Sequence, residues 1–261
     1  MLGTRVLSSF VILPPVLGVI WWGGAPYVIL VTLCGGLMAW ELYRLARVPS
    51  PVAAVAMAAC CGAVAPIAVL GGTDYALYGG FGGLALAWVL LRRAPIGTPD
   101  RGAVLVVNAL ILLTSASLVR LRFEPEVGRT LIFWLVATIA ATDIGAYFAG
   151  RAIGGPKLAP RISPHKTWAG LIGGVVLAGV TGLIAAQLTE RPMLPLAMAG
   201  ALVAPVAQLG DLTESWIKRR MGVKDSGTLI PGHGGLLDRL DGYLTAAPLV
   251  ALIALSHRGV F

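Results

Sequence analysis

The sequence predicts an all-α, polytopic membrane protein of about nine spanning helices, and three observations carry that expectation. Of its 261 residues 57% are hydrophobic and 12% are charged. A soluble domain averages roughly 25% charged residues, so this chain could not cover a soluble surface. Apolar runs near 20 residues, the length that crosses a bilayer as a helix, recur along the chain. None alternates with period two, which argues against a β-barrel and leaves helices to satisfy the backbone in lipid. The same apolar content excludes intrinsic disorder.

The first span, 5–22, is preferred over a signal peptide because its apolar run is long and no small-residue cleavage site precedes a polar mature region. Spans 26–45, 52–71, 75–91 and 102–119 follow with short loops. Cys34, Cys60 and Cys61 fall inside these runs. Adjacent cysteines pair poorly and no metal spacing exists, so they read as small core residues. Spans 130–149, 168–188, 193–216 and 243–257 are separated by two long polar segments, 150–167 and 217–242. This change of character divides the chain into N-terminal spans, 1–129, and a polar-rich C-terminal region, 130–261. Gly170 and Gly174 show the small-x-x-x-small spacing that lets helices approach closely in lipid.

Fifteen of the 20 basic residues fall on the side shared by the N-terminus and the two polar segments. The positive-inside bias therefore puts that side in the cytoplasm. Arg120, Arg122 and Arg129 run against the bias, with Glu124 and Glu126 at hand as partners. All four lysines, Lys157, Lys166, Lys218 and Lys224, lie in the two polar segments, against 16 arginines in the whole chain. A compact ammonium retained there suits phosphate binding.

Acids within spans are costly and mark function. Asp143 sits roughly 10 Å from the cytoplasmic end of its span, with Tyr147 and Arg151 on the same helical face. Asp211 lies at similar depth, followed by Glu214, Ser215 and Lys218 on one stripe. Asp238 and Asp241 are three apart, so a helix turns them the same way. With Asp211 they offer hard oxygen ligands beside cations, a set suited to Mg²⁺ and a nucleotide triphosphate. His233 lies among glycines where backbone can approach a phosphate. No second His or Cys stands at ligand spacing, which argues against zinc.

Ser215-Trp216-Ile217-Lys218-Arg219, then Lys224-Asp225-Ser226-Gly227, then Ile230-Pro231-Gly232-His233-Gly234-Gly235-Leu236-Leu237-Asp238-Arg239-Leu240-Asp241, resembles the signature of the phosphatidate cytidylyltransferase (CDP-diacylglycerol synthase) family. A second stretch, Asp143 to Arg151 and on through Ser163, Lys166 and Thr167 to Gly170, is also similar to the family. His165 and Ala169 depart from the pattern, which has Lys and Glu there. The resemblance implies a multi-span helical enzyme, a homodimer, that joins CTP to phosphatidic acid with Mg²⁺, alone or with a second cation. Low Lys with high Arg, Ala and Gly suggests a bacterial source, and hence the inner membrane. Nucleic acid is not an expected partner. Asp211, Asp238 and Asp241 are implied as the metal ligands. Lys218, Arg219, Lys224 and Arg239 are expected to neutralise phosphates. Asp143, Tyr147, Arg151, Ser163, Lys166, Thr167, Ser215 and His233 are expected to bind substrate. A CDP-alcohol phosphotransferase is disfavoured because Asp241-Gly242 is followed by Tyr243-Leu244 rather than Ala-Arg. A transporter is disfavoured because the polarity crowds one side and no inverted repeat is visible.

Overall fold

The computed structural model describes residues 2–48, 50–92, 98–227, 229 and 234–256. Among the described residues nine helices and one β-hairpin follow in order: α1 (Leu2–Trp22), α2 (Gly24–Leu45), α3 (Pro51–Arg92), α4 (Thr98–Arg122), α5 (Gly128–Ala152), β1 (Lys157–Ala159), β2 (Ser163–Thr167), α6 (Trp168–Thr189), α7 (Met193–Arg220), α8 (Leu237–Leu240) and α9 (Tyr243–Ser256). Among the described residues six helices are long and apolar enough to cross a membrane: Gly24–Leu45, Pro51–Leu70, Asp100–Arg122, Gly128–Ala152, Trp168–Thr189 and Met193–Arg220. An all-α, multi-span architecture therefore stands. The described part of α9, 14 residues, is about 21 Å long.

Two compact units make up the chain. The first joins Met1–Arg120 to Ile217–Leu240, and the second joins Leu121–Trp216 to Asp241–Phe261. In the first unit, the helical stretch Pro51–Arg92 is 42 residues long, about 63 Å if straight. It folds back on itself instead. A Cβ at Gly79 would lie 3.5 Å from Ile67 Cδ1, and one at Gly83 would lie 3.0 Å from Cys60 Sγ. The two arms thus pack as a helical hairpin, in keeping with the separate runs 52–71 and 75–91. Tyr43, Met38, Leu42, Met57 and Ile111 form part of this unit's core.

In the second unit, α6 places Gly170, Gly174, Ala178, Gly182 and Ala186 on one buried stripe. Its large residues Ile172, Val176, Leu183 and Ile184 point outward, as a helix bathed in lipid requires. The stripe is needed for close approach. A Cβ at Gly145 of α5 would fall 2.4 Å from the Gly173 carbonyl, and one at Gly182 would fall 2.3 Å from that of Leu196.

The polar segment 150–167, which carries no strand signal in the sequence, pairs β1 with β2 antiparallel. Lys157 faces Thr167 and Ala159 faces Ser163, so β2 carries two extra residues. Pro164, which has no N–H to offer a ladder, falls in that irregular stretch. The hairpin leads straight into α6. Thr167 is the N-cap residue, its backbone extended, and its Oγ1 accepts the Gly170 N–H at 3.0 Å.

Candidate active site

In the second unit, α5, β2, α6 and α7 wall a cavity of about 570 Å³. α5 contributes Asp143, Ala146, Tyr147, Gly150 and Arg151; β2 contributes His165, Lys166 and Thr167; α6 contributes Gly170 and Leu171; α7 contributes Gln208 and Asp211. Helical spacing puts the α5 residues on one face. Gly150 and Gly170 leave the helices close at this level, for a Cβ at Gly170 would come within 3.5 Å of the Gly150 Cα.

Four polar links set the cavity wall and its surroundings. Arg151 Nη1 donates to Tyr147 Oη at 2.9 Å. Lys166 Nζ donates to Gln208 Oε1 at 2.7 Å and forms an ion pair with Asp211. Ser215 Oγ donates to Asp211 Oδ1 at 3.4 Å. Lys166 is thus fastened to α7 from the hairpin, one ammonium serving two side chains a helical turn apart. Asp241, just before α9, belongs to the same unit and accepts the Gly242 N–H at 2.7 Å. Desolvation and the nearby Asp211 push its carboxyl up to about 7, with Asp143 adding to the rise, while the Gly242 amide and Lys166 pull it down. Neighbouring carboxylates that make Asp241 costly to ionise form an environment that a hard cation would relieve. As they stand, no three metal-ligating side chains converge among the described residues.

Lys218, Arg219, Lys224, Asp238 and Arg239 fall in the first unit, in the segment 217–240. Lys218 Nζ pairs with Asp238 Oδ1 at 2.8 Å. Asp238 also accepts the Ser226 N–H at 3.0 Å and the Gly235 N–H at 2.8 Å, both through Oδ2. Its oxygens are therefore engaged with a cation and two amides. Arg219 donates to the Val223 carbonyl at 3.4 Å, and Arg219, Lys224 and Arg239 are exposed. Ser163 lies on β2 opposite Ala159 and does not line the cavity. Thr167 does line it, but its hydroxyl is occupied in capping α6. His165 lines the cavity, whereas Ala169 does not. His233 lies outside the described residues.

Two residues were missed by sequence reasoning. Gln208, buried three residues before Asp211, is the second anchor of Lys166. A polar residue at i−3 from an intramembrane acid was the available signal. Glu41 is 2% exposed in α2. It is the single acid between residues 5 and 43, and the reasoning that singles out Asp143 and Asp211 applies to it equally.

With this geometry in view, comparison with known proteins is decisive. Residues 3–257 match the cytidylyltransferase family. The chain belongs to the cytidylyltransferase family. Among curated members, the phosphatidate cytidylyltransferase of Pseudomonas aeruginosa is 38% identical over 269 residues, 97% of each chain. That of Bacillus subtilis is 37% identical over 175 residues, 66% of this chain and 65% of the relative. That of Brucella suis is 51% identical over 140 residues, 53% of this chain. This last match spans about half the length of the Brucella relative, 52%. As a family member the chain is similar to bacterial relatives that share one printed name.

Proposed function

We propose that the protein transfers the cytidylyl group of CTP to phosphatidic acid, giving CDP-diacylglycerol and pyrophosphate. The observation that carries this reading is that Asp143, Tyr147, Arg151, Lys166 and Asp211, distant in sequence and joined by the family motifs, wall one cavity. A lipid phosphate oxygen attacks the α-phosphorus in line, the bond to the β-phosphate breaks, and pyrophosphate leaves with both electrons. The nucleophile is already an anion, so no strong base is required. The difficulty is bringing two anions together, and it is met by positioned cations.

Arg151 and Lys166 supply positive charge from the cavity wall, and Lys218, Arg219, Lys224 and Arg239 supply it from the segment 217–240. Tyr147 holds the Arg151 guanidinium, and Gln208 and Asp211 hold the Lys166 ammonium. Asp211 and Asp241, both of the second unit, would hold Mg²⁺, and the family resemblance adds Asp238 to the implied ligands. When bound, Mg²⁺ neutralises phosphate charge and orients the triphosphate.

We further propose a homodimer of subunits with about nine spans in a bacterial inner membrane, the N-terminus cytoplasmic. In the first unit Arg44 lies 4.7 Å over the Trp40 ring and Arg92 lies 4.5 Å over that of Trp88. Both pairs close helices that the arginine bias ends in the cytoplasm, and Trp with Arg is the pairing expected at a membrane interface. The test is pyrophosphate release by the purified protein. Release from CTP that requires phosphatidate supports the reading. CMP release from CDP-diacylglycerol and an alcohol would point to a phosphotransferase, and neither activity, with ion or solute flux, to a transporter.

A further inference from the structure

We infer that Glu41 is a positioning residue for the transfer reaction: it seats the turn 235–237 that carries Asp238, and through Asp238 it sets the Lys218 ammonium. The inference rests on the function proposed above for its kinetic part. Its structural part stands on contacts within the first unit.

Glu41 is buried in a span otherwise free of acids, a position tolerated only where partners compensate. Both of its oxygens are used. Oε1 accepts the Leu236 N–H at 3.0 Å; Oε2 accepts the Leu237 N–H at 2.9 Å and the Ser226 hydroxyl at 3.3 Å. Asp238 takes the complementary groups of the same two places, the Ser226 N–H and the Gly235 N–H. Three consecutive amides, 235, 236 and 237, thus donate to two carboxylates, and Ser226 bridges them. Lys218 completes the network at 2.8 Å from Asp238.

Two motif glycines are explained by the same carboxylate. A Cβ at Gly227 would lie 2.8 Å from Glu41 Oε1, and one at Gly235 would lie 2.7 Å from Oε2 and 2.0 Å from Ser226 Oγ. The segment closes over Glu41 only because these positions lack side chains. α8 is a single turn of four residues and makes little core of its own. What the seat controls is the placement of Asp238 and Lys218. Misplacing a charge by ~1 Å at a reacting centre costs about 10²-fold in rate.

Glu41→Gln is the direct test, because each carboxylate oxygen meets an amide N–H and a carboxamide can satisfy only one of them. The expected result is a kcat lowered at least ~30-fold with KM for CTP within about threefold, and faster hydrogen exchange of the 235–237 amides. Gly235→Ala is expected to repeat both effects without altering Glu41. Asn108→Ala, a buried polar change elsewhere in the unit, is expected to lower thermal stability while leaving kcat per folded molecule unchanged. A folded Glu41→Gln enzyme with wild-type kcat overturns the inference, as does a kcat loss that Asn108→Ala reproduces at equal destabilisation. If Glu41→Gln does not accumulate, Gly235→Ala decides: wild-type kcat in that variant overturns the inference. Wild-type protein that releases no pyrophosphate would remove the functional reading alone. Wild-type exchange at 235–237 in Glu41→Gln would remove the seat.

Discussion

Lys166 reaches from the β-hairpin to α7 and divides its ammonium between Gln208 and Asp211. Its side chain and that of Asp211 are 17% and 30% exposed, so water still screens the pair and its worth to stability is modest. Its worth to catalysis is larger, since it fixes a cation on the wall of the cavity. Lys166→Met and Asp211→Asn are each expected to lower turnover at least 100-fold, with thermal midpoints falling by no more than a few degrees. Steady-state pyrophosphate release and thermal melts check both. Asp241 adds a pH dependence. Its carboxyl is raised from 3.8 to about 7, so across that window the folded protein keeps a proton that the unfolded chain has lost. Stability of the Mg²⁺-free protein is therefore expected to fall as pH rises from about 4 to 7. Asp241→Asn is expected to flatten that profile and to abolish turnover. Melts between pH 4 and 8 decide the first point; a wild-type profile as flat as the variant's would contradict it. Near-normal activity in Asp241→Asn would remove Asp241 from the metal set.

At the scale of elements, α6 and its hairpin hold the cavity open, and α6 begins on one side-chain cap. Thr167→Ala removes the acceptor of the Gly170 N–H and is expected to cost about 1 kcal/mol, read as a lowered melting midpoint, whereas Thr167→Ser should be tolerated. Much at this scale was legible. The Gly170–Gly174 spacing pointed to close packing, and the structure continues that stripe through Ala178, Gly182 and Ala186. The i, i+4, i+8 series Asp143, Tyr147, Arg151 pointed to one face, and all three line the cavity. The hairpin was not legible, because its pairing is irregular and its strands are polar, so no alternation marks it. Gln208 and Glu41 each stand as one polar residue in an apolar run. Their partners lie 42 and up to 196 residues away in sequence, and tertiary packing alone brings them together.

For the whole molecule, composition carried the membrane assignment, and the proposed orientation rests on the basic bias. The run 243–257 corresponds to α9, and the separate runs 52–71 and 75–91 correspond to the two arms of α3, which fold back on each other. Orientation is testable without reference to activity. In a background lacking Cys34, Cys60 and Cys61, a cysteine at position 224 is expected to resist an impermeant maleimide added to intact spheroplasts, and one at 191 to react. The reverse pattern would invert the proposed topology. The same approach at 120–129, where three arginines oppose the bias, tests the span count in the middle of the chain.

The central claim is that the bond broken lies between the α- and β-phosphates of CTP and that the cytidylyl group passes to phosphatidic acid. Purified protein supplied with phosphatidic acid, Mg²⁺ and CTP labelled at either the α- or the γ-phosphate measures this directly. The α-label is expected to appear in the organic-phase lipid and the γ-label to stay in water as pyrophosphate. Passage of the γ-label into the lipid, or of neither label, would contradict the claim.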